Sequence, residues 1–166
     1  MIKLLLLFAM ASGLTFAHAA TTNIAVVDMQ KAIQATAEGK KAKSELEGEF
    51  DKKKKELQKR EGDLKKMGED LEKKKSVLSE EALGKKQAEF QEEMMKYRET
   101  MGKSQVEIQK KERDLTAPIL EKMRKVIEKV AKEKGFNLVL ENSGAILFAE
   151  KTNDITDDVV KAFEKK

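Results

Sequence analysis

The chain of 166 residues has no cysteine and no tryptophan, one proline, one tyrosine and one histidine. Without cysteine there is no disulfide framework, no thiol nucleophile, and no site for lipid attachment at a cleavage-site Cys. Aromatic residues make up 5% of the chain, too few for a base-stacking surface. Arginine is scarce as well: of 34 basic residues only Arg60, Arg98, Arg113 and Arg124 are arginine. Lysine is a hydrated point charge, whereas the arginine fork grips phosphate or carboxylate bidentately. The basicity, pI ≈ 9.0, therefore reads as diffuse attraction and not as a phosphate pocket. Scarce arginine and few aromatics together argue against nucleic acid as a partner.

What is present begins with a leader. Lys3 supplies a positive start, Leu4–Ala17 is mostly apolar, and Ala17-His18-Ala19 has the small-x-small form of a cleavage site. The apolar run is shorter than the roughly 20 residues that a spanning helix needs. We expect residues 1–19 to be a signal peptide, cut near Ala19/Ala20. The cut would remove His18, the only histidine, leaving a chain with neither His nor Cys. Zinc sites of the usual kinds and histidine-based triads are then excluded. Net charge falls from +4 to +3 with the loss of Lys3.

The middle of the chain is a charged helical rod with a thin apolar seam. Phe50, Leu57, Leu64, Leu71 and Leu78 follow at steps of seven, and Met94, Met101, Ile108 and Leu115 repeat the step after a break around Ser79–Gly84. Two such runs joined by a break predict an antiparallel coiled-coil hairpin. The outgoing helix should reach about Leu78, with Ser79 capping the return and Glu80 and Glu81 in its first turn. The outgoing seam is half polar, because its partner positions carry Lys53, Arg60, Met67 and Lys74. Gly39, Gly48, Gly62, Gly68, Gly84 and Gly102 punctuate the rod. Each glycine costs a helix interior roughly 1 kcal/mol relative to alanine, so Gly48, Gly62, Gly68, Gly84 and Gly102 are read as making the arm flexible.

Charge is uneven along the rod. From Asp51 to Lys86 there are thirteen basic and nine acidic residues, a surplus of four positive charges. The candidates for a functional basic surface on the arm and tip are Lys52, Lys53, Lys55, Lys59, Arg60, Lys65, Lys66, Lys73, Lys74, Lys75, Lys85 and Lys86. Their bland alternative is a solvated helix face. A weak contact of the tip with anionic lipid is a further expectation.

The head is assembled from both ends, residues 20–38 and 115–166, with the arm over 39–114 and its tip near 79–84. Ile24–Val27 reads as a buried strand, and Asp28 can cap the next helix, which continues through Ala32 and Ile33 toward the rod. Pro118 should kink or break the returning helix near Asp114. Ile119, Met123, Val126, Ile127 and Val130 then form a fuller apolar face, closed by Gly135. Phe136–Leu140 and Ala145–Ala149 read as a hairpin around Asn142-Ser143-Gly144. Thr156 is the expected cap of a last helix, with Asp157 and Asp158 behind it and Ile155 and Val160 as a staple. About 70 residues make a marginal core. Strands apolar on both faces imply that heads associate.

No catalytic constellation emerges. Gly102-Lys103-Ser104 resembles the end of a phosphate-binding loop, but Tyr97 stands where the first glycine belongs and the segment is heptad helix. Asp157-Asp158 is better explained as an acidic first helical turn. We expect no enzyme activity, no cofactor and no metal.

The order of these segments resembles the Skp/OmpH family of periplasmic chaperones. The likeness is carried by Asn23-Ile24-Ala25-Val26-Val27-Asp28, by Val130-Ala131-Lys132-Glu133-Lys134-Gly135-Phe136-Asn137-Leu138-Val139-Leu140, and by Asn153-Asp154-Ile155-Thr156-Asp157-Asp158-Val159-Val160. It spans the mature chain, specific at the ends and compositional in the arm. The resemblance implies an α+β, mostly α fold and a homotrimer, with a small β-barrel body built by all three subunits. Ile24, Val26, Leu138, Leu140, Ile146 and Phe148 would belong to that body. It also implies ATP-independent holding of unfolded outer-membrane β-barrel proteins in a cavity between arms. The rival reading is an exported coiled-coil spacer or envelope tether.

Overall fold

The computed structural model describes residues 22–165. The expected signal peptide, its cleavage point and His18 lie outside the described residues. Strand β1 (Ile24–Val27) leads to helix α1 (Met29–Ala35), long helices α2 (Ala37–Lys74) and α3 (Glu80–Lys134), strand β2 (Leu138–Glu141), and helix α4 (Thr156–Glu164). The fold is α+β and mostly helical. At 1.5 Å per residue, α2 is about 57 Å long and α3 about 80 Å.

Local sequence explains most of the element boundaries. Asp28 accepts from the Lys31 backbone N–H at 2.8 Å and starts α1. Ser79 accepts from Ala82 N–H and starts α3, with Glu80 and Glu81 in the positive first turn. Gly135 ends α3 in the left-handed region, at φ 75, and returns its N–H to the helix carbonyls. The outgoing helix stops at Lys74, four residues before Leu78, and the chain reverses over Lys75–Ser79.

A break between α1 and α2 interrupts what reads in sequence as one continuous stretch. Thr36 leaves helical geometry (φ -76, ψ 154), and its Oγ1 accepts from Gly39 N–H at 3.0 Å while donating to the Ile33 carbonyl at 2.8 Å. Gly39 is required here. A Cβ at that position would stand 1.9 Å from the Ile33 carbonyl oxygen.

Strands β1 and β2 pair in parallel, Ile24 against Leu138 and Val27 against Glu141. Asn23 pins the pair at one end: its N–H donates to Asn137 Oδ1 at 2.7 Å and its side-chain amide to the Gly135 carbonyl. The other edge of β1 takes the 154–155 segment, through Ile155 N–H to the Val26 carbonyl at 3.0 Å. The inward face of β1, Ala25 and Val27, packs into a core with Ile119, Met123, Val159 and Phe163.

Three expectations need correction. Ala145–Ala149 is not a strand. The chain does turn, with Ile146 N–H bonding the Ser143 carbonyl, but the next residues pair with nothing among those described, and Leu147 and Phe148 stand in solvent. Among the described residues nothing pairs with the outer edge of β2. Pro118 does not break the helix near Asp114: α3 runs through it. An interior proline loses one hydrogen bond and crowds the carbonyl four residues back, at about 3 kcal/mol, and the burial of Ile119 and Met123 just beyond it, about 1.5–3 kcal/mol each, offsets that cost. Thr156 is not the cap of α4 but its first residue. Asp154 takes that part, accepting from Thr156 N–H at 2.9 Å and Oγ1 at 2.6 Å. The Thr156 hydroxyl oxygen in turn accepts from Asp28 N–H at 2.9 Å, tying the last helix to the first.

Candidate functional site

Helices α2 and α3 form an arm whose seam is nearly all half-open. Between Lys43 and Pro118 only Leu64 and Ser104 are buried. The heptad residues Leu57, Leu71, Met94 and Ile108 are intermediate, while Phe50 and Met101 are 53% and 49% exposed. The cause is the half-polar seam. Lys53 occupies an inward-facing position, and its ammonium escapes sideways to Glu107 at 2.6 Å. Opposite lies Ser104, 4% exposed and too small to fill the gap. The apolar residues above and below this polar layer have no partner at its level, and they line a cavity of about 460 Å³ bounded by Phe50, Leu57, Met101, Ser104 and Ile108, with Lys53 and Lys54 at the rim.

The twelve basic candidates divide evenly. Lys52, Lys53, Arg60, Lys74, Lys85 and Lys86 each sit within 4 Å of a carboxylate. Lys55, Lys59, Lys65, Lys66, Lys73 and Lys75 are exposed and have no ion pair among the described residues. Glu107, accepting a hydrogen bond from Lys53, holds that ammonium above the ordinary lysine range. Asp70 spans the turn, accepting from Lys74 and from Lys86, and its carboxyl is held below the usual range chiefly by the Lys74 hydrogen bond.

Alanine would fit at all five arm glycines. Gly48, Gly62, Gly84 and Gly102 have no neighbour within 4 Å of a notional Cβ, and at Gly68 only the Phe90 ring lies in ordinary contact, at 3.7 Å. Steric need does not account for these glycines.

In the head, the residues singled out for a shared body fall on the outward face of the sheet. Ile24, Leu138 and Leu140 are exposed there beside Val26, which is buried. Ile146 is half-buried, and Phe148, 82% exposed, lies in the irregular segment beyond the turn.

Sequence reasoning passed over the joint between arm and head. Glu164, near the end of α4, accepts from Ala37 N–H at 2.7 Å and so caps the start of α2. Lys122 of α3 pairs with Glu38 at 2.6 Å and lays its ammonium 3.9 Å from the Phe163 ring centroid. The available signal was Thr36-Ala37-Glu38-Gly39, a cap residue followed by an acid and a glycine.

The profile described as outer membrane protein (OmpH-like) matches residues 23–163. The chain belongs to the OmpH-like family. Among its relatives, an uncharacterized protein of Aquifex aeolicus is 29% identical over 163 residues, 98% of this chain and 96% of its own. Outer membrane p25 of Pasteurella multocida is 42% identical over 52 residues, 31% of this chain and 26% of p25, so this match spans about a quarter of p25. A crystal structure of a candidate outer membrane chaperone (OmpH-like) from Caulobacter crescentus superimposes with a TM-score of 0.74 at 21% identity, covering 87% of this chain and 85% of that one. The two chains share one fold.

Proposed function

We propose that this protein is an ATP-independent holdase of the bacterial periplasm, exported by its leader, that keeps unfolded outer-membrane β-barrel proteins soluble until they insert. The observation that carries the reading is the arm: a hairpin of about 57 Å with exposed apolar groups and, among the described residues, six of the twelve basic candidates without an ion pair, rooted in a packed head. Many weak contacts of this kind retain a chain without fixing its conformation. Membership in the OmpH-like family and the likeness to the Caulobacter fold support it. In this reading residues 20–38 and 115–166 associate, as a homotrimer, through the outward sheet face of Ile24, Val26, Leu138 and Leu140 with Ile146 and Phe148. Residues 39–114 enclose the client. The lysines draw it in and the arm glycines let the cavity adjust.

The test is one purification of residues 20–166. Its solution mass is measured, and a denatured outer-membrane barrel is diluted into it without nucleotide. A second protein has residues 45–110 replaced by a short loop, its fold checked by circular dichroism. We expect a trimer that suppresses aggregation and an armless form that does not. Equal performance of the two, or aggregation with the intact protein, overturns the holdase and favours a spacer.

A further inference from the structure

The seam carries other hollows, of about 250–340 Å³ beside Leu64, Ile108 and Leu71, and the groove beside Ser104 differs from them in its more apolar lining of Phe50, Leu57, Met101 and Ile108. Two large apolar side chains at heptad positions, Phe50 and Met101, are about half exposed because the layer between them is Lys53 against Ser104. The seven residues from Phe50 to Leu57 cover about 10 Å of helix. Alternate residues of an extended strand lie about 6.7 Å apart on one face. The trough therefore takes two successive same-face side chains of a strand, and 460 Å³ is within the range of sites that hold compact ligands. Met101 gives it an adaptable wall. Charge is uneven along the axis: Lys54, midway between Phe50 and Leu57, has no carboxylate partner among the described residues, and Glu61 follows Leu57 by about one turn.

We propose that this groove is the docking point on each arm for an extended, amphipathic segment of the client. Two alternate apolar side chains enter the trough, and an acidic residue lies toward Lys54. The proposal rests on the holdase reading and adds to it one defined contact among the diffuse ones. Strands of alternating apolar and polar residues are what an unfolded β-barrel offers, because its finished strands alternate apolar-out and polar-in.

The absence of cysteine makes the test direct. Gln105→Cys puts a single thiol on the groove rim for an environment-sensitive dye, and Ser76→Cys puts one in the arm's turn. The probe is a fluorescein-tagged ten-residue peptide of alternating leucine and serine with two terminal glutamates. We expect a saturable blue shift at position 105 and none at 76. In anisotropy titrations the Phe50→Ser, Met101→Ser double variant should bind the peptide about tenfold more weakly, as expected for losing a central apolar anchor. Phe50→Leu should keep binding within about twofold, which separates groove chemistry from misfolding. Exchanging the glutamates for lysines should weaken binding about threefold at low salt. Equal dye responses at 105 and 76, or unchanged peptide affinity in the double variant, overturns the groove. Aggregation suppression by the unaltered chain is read alongside. Its failure removes the holdase reading, whereas suppression with no groove response removes this proposal alone.

Discussion

The head and the arm are made from similar residues by opposite rules. In the head, a few apolar side chains are buried completely and polar side chains sit at the starts of α1, α2 and α4: Asp28, Thr36, Asp154 and Glu164 each satisfy a backbone N–H. In the arm, more than 70 residues from Lys43 to Pro118 bury one leucine and one serine. Most of its ion pairs are exposed, several of them i,i+4 pairs that water and salt screen and that add little to stability. Helices this long hold together through a continuous but shallow seam. Such a structure opens locally at low cost. The contrast separates a tightly packed anchor from a projecting surface whose apolar seam stays partly in solvent.

The strongest way to break that contrast is to damage the head. Met123→Ala removes a fully buried side chain from its centre and should cost about 2–5 kcal/mol. Gly39→Ala forces a Cβ against the Ile33 carbonyl, with overpacking of about 1–3 kcal/mol. Either should lower the thermal midpoint of the whole chain. Leu57→Ala, at a half-open seam position, should cost distinctly less and raise hydrogen exchange only nearby. Equal losses for Met123→Ala and Leu57→Ala would mean that the arm is as cooperative as the head.

Stiffening the arm sharpens the comparison from the other side. Gly48, Gly62, Gly84 and Gly102 to Ala should each stabilise helix by roughly 1 kcal/mol, since no Cβ collides. Slower amide exchange across the arm is the direct readout. If the glycines provide compliance, the quadruple variant should hold large barrels less well than small ones. A uniform effect on all clients would assign the glycines no part in accommodation.

The joint comes next in size. Glu164→Gln replaces a carboxylate that caps α2 by a neutral acceptor, with an expected loss of about 0.5–1 kcal/mol. Its particular signature is angular. Scattering should show a wider spread of arm directions at unchanged helicity. A change in melting without a change in spread would make Glu164 a stabiliser only.

These expectations also mark what could be read from residues alone. The arm was legible because heptad steps survive substitution: Phe50 to Leu78 and Met94 to Leu115 are visible at a glance. The caps Asp28, Ser79 and Gly135 were legible because capping is local. Thr156 misled because its hydroxyl is engaged elsewhere, donating to Asp154 and accepting from the Asp28 N–H, contacts that span the chain and cannot be read locally. The Ala145–Ala149 strand misled because β-like composition does not supply a neighbour, and pairing is non-local. The groove was half legible. Lys53 in the seam announced a defect, but only the register of α2 against α3 shows that it meets Ser104 instead of a leucine.

The smallest predicted effect is at the turn of the arm. The Asp70 carboxylate takes hydrogen bonds from Lys74 on its own helix, at 2.7 Å, and from Lys86 on the other, at 3.4 Å. These hold its pKa below 3.8, the value it returns to on unfolding. A depressed carboxyl contributes stability that is fully present above the unfolded value and is lost as pH falls through the folded one. The turn should therefore loosen on acidification below about pH 3.8 and remain unchanged near neutrality. The bridge is exposed, so added salt should mask most of the effect. Protection factors at amides 71–83, compared between pH 5 and pH 3 at low ionic strength, provide the measure. Asp70→Asn should flatten their pH dependence, and an identical acid response in native and variant chains would assign the loosening to other carboxylates.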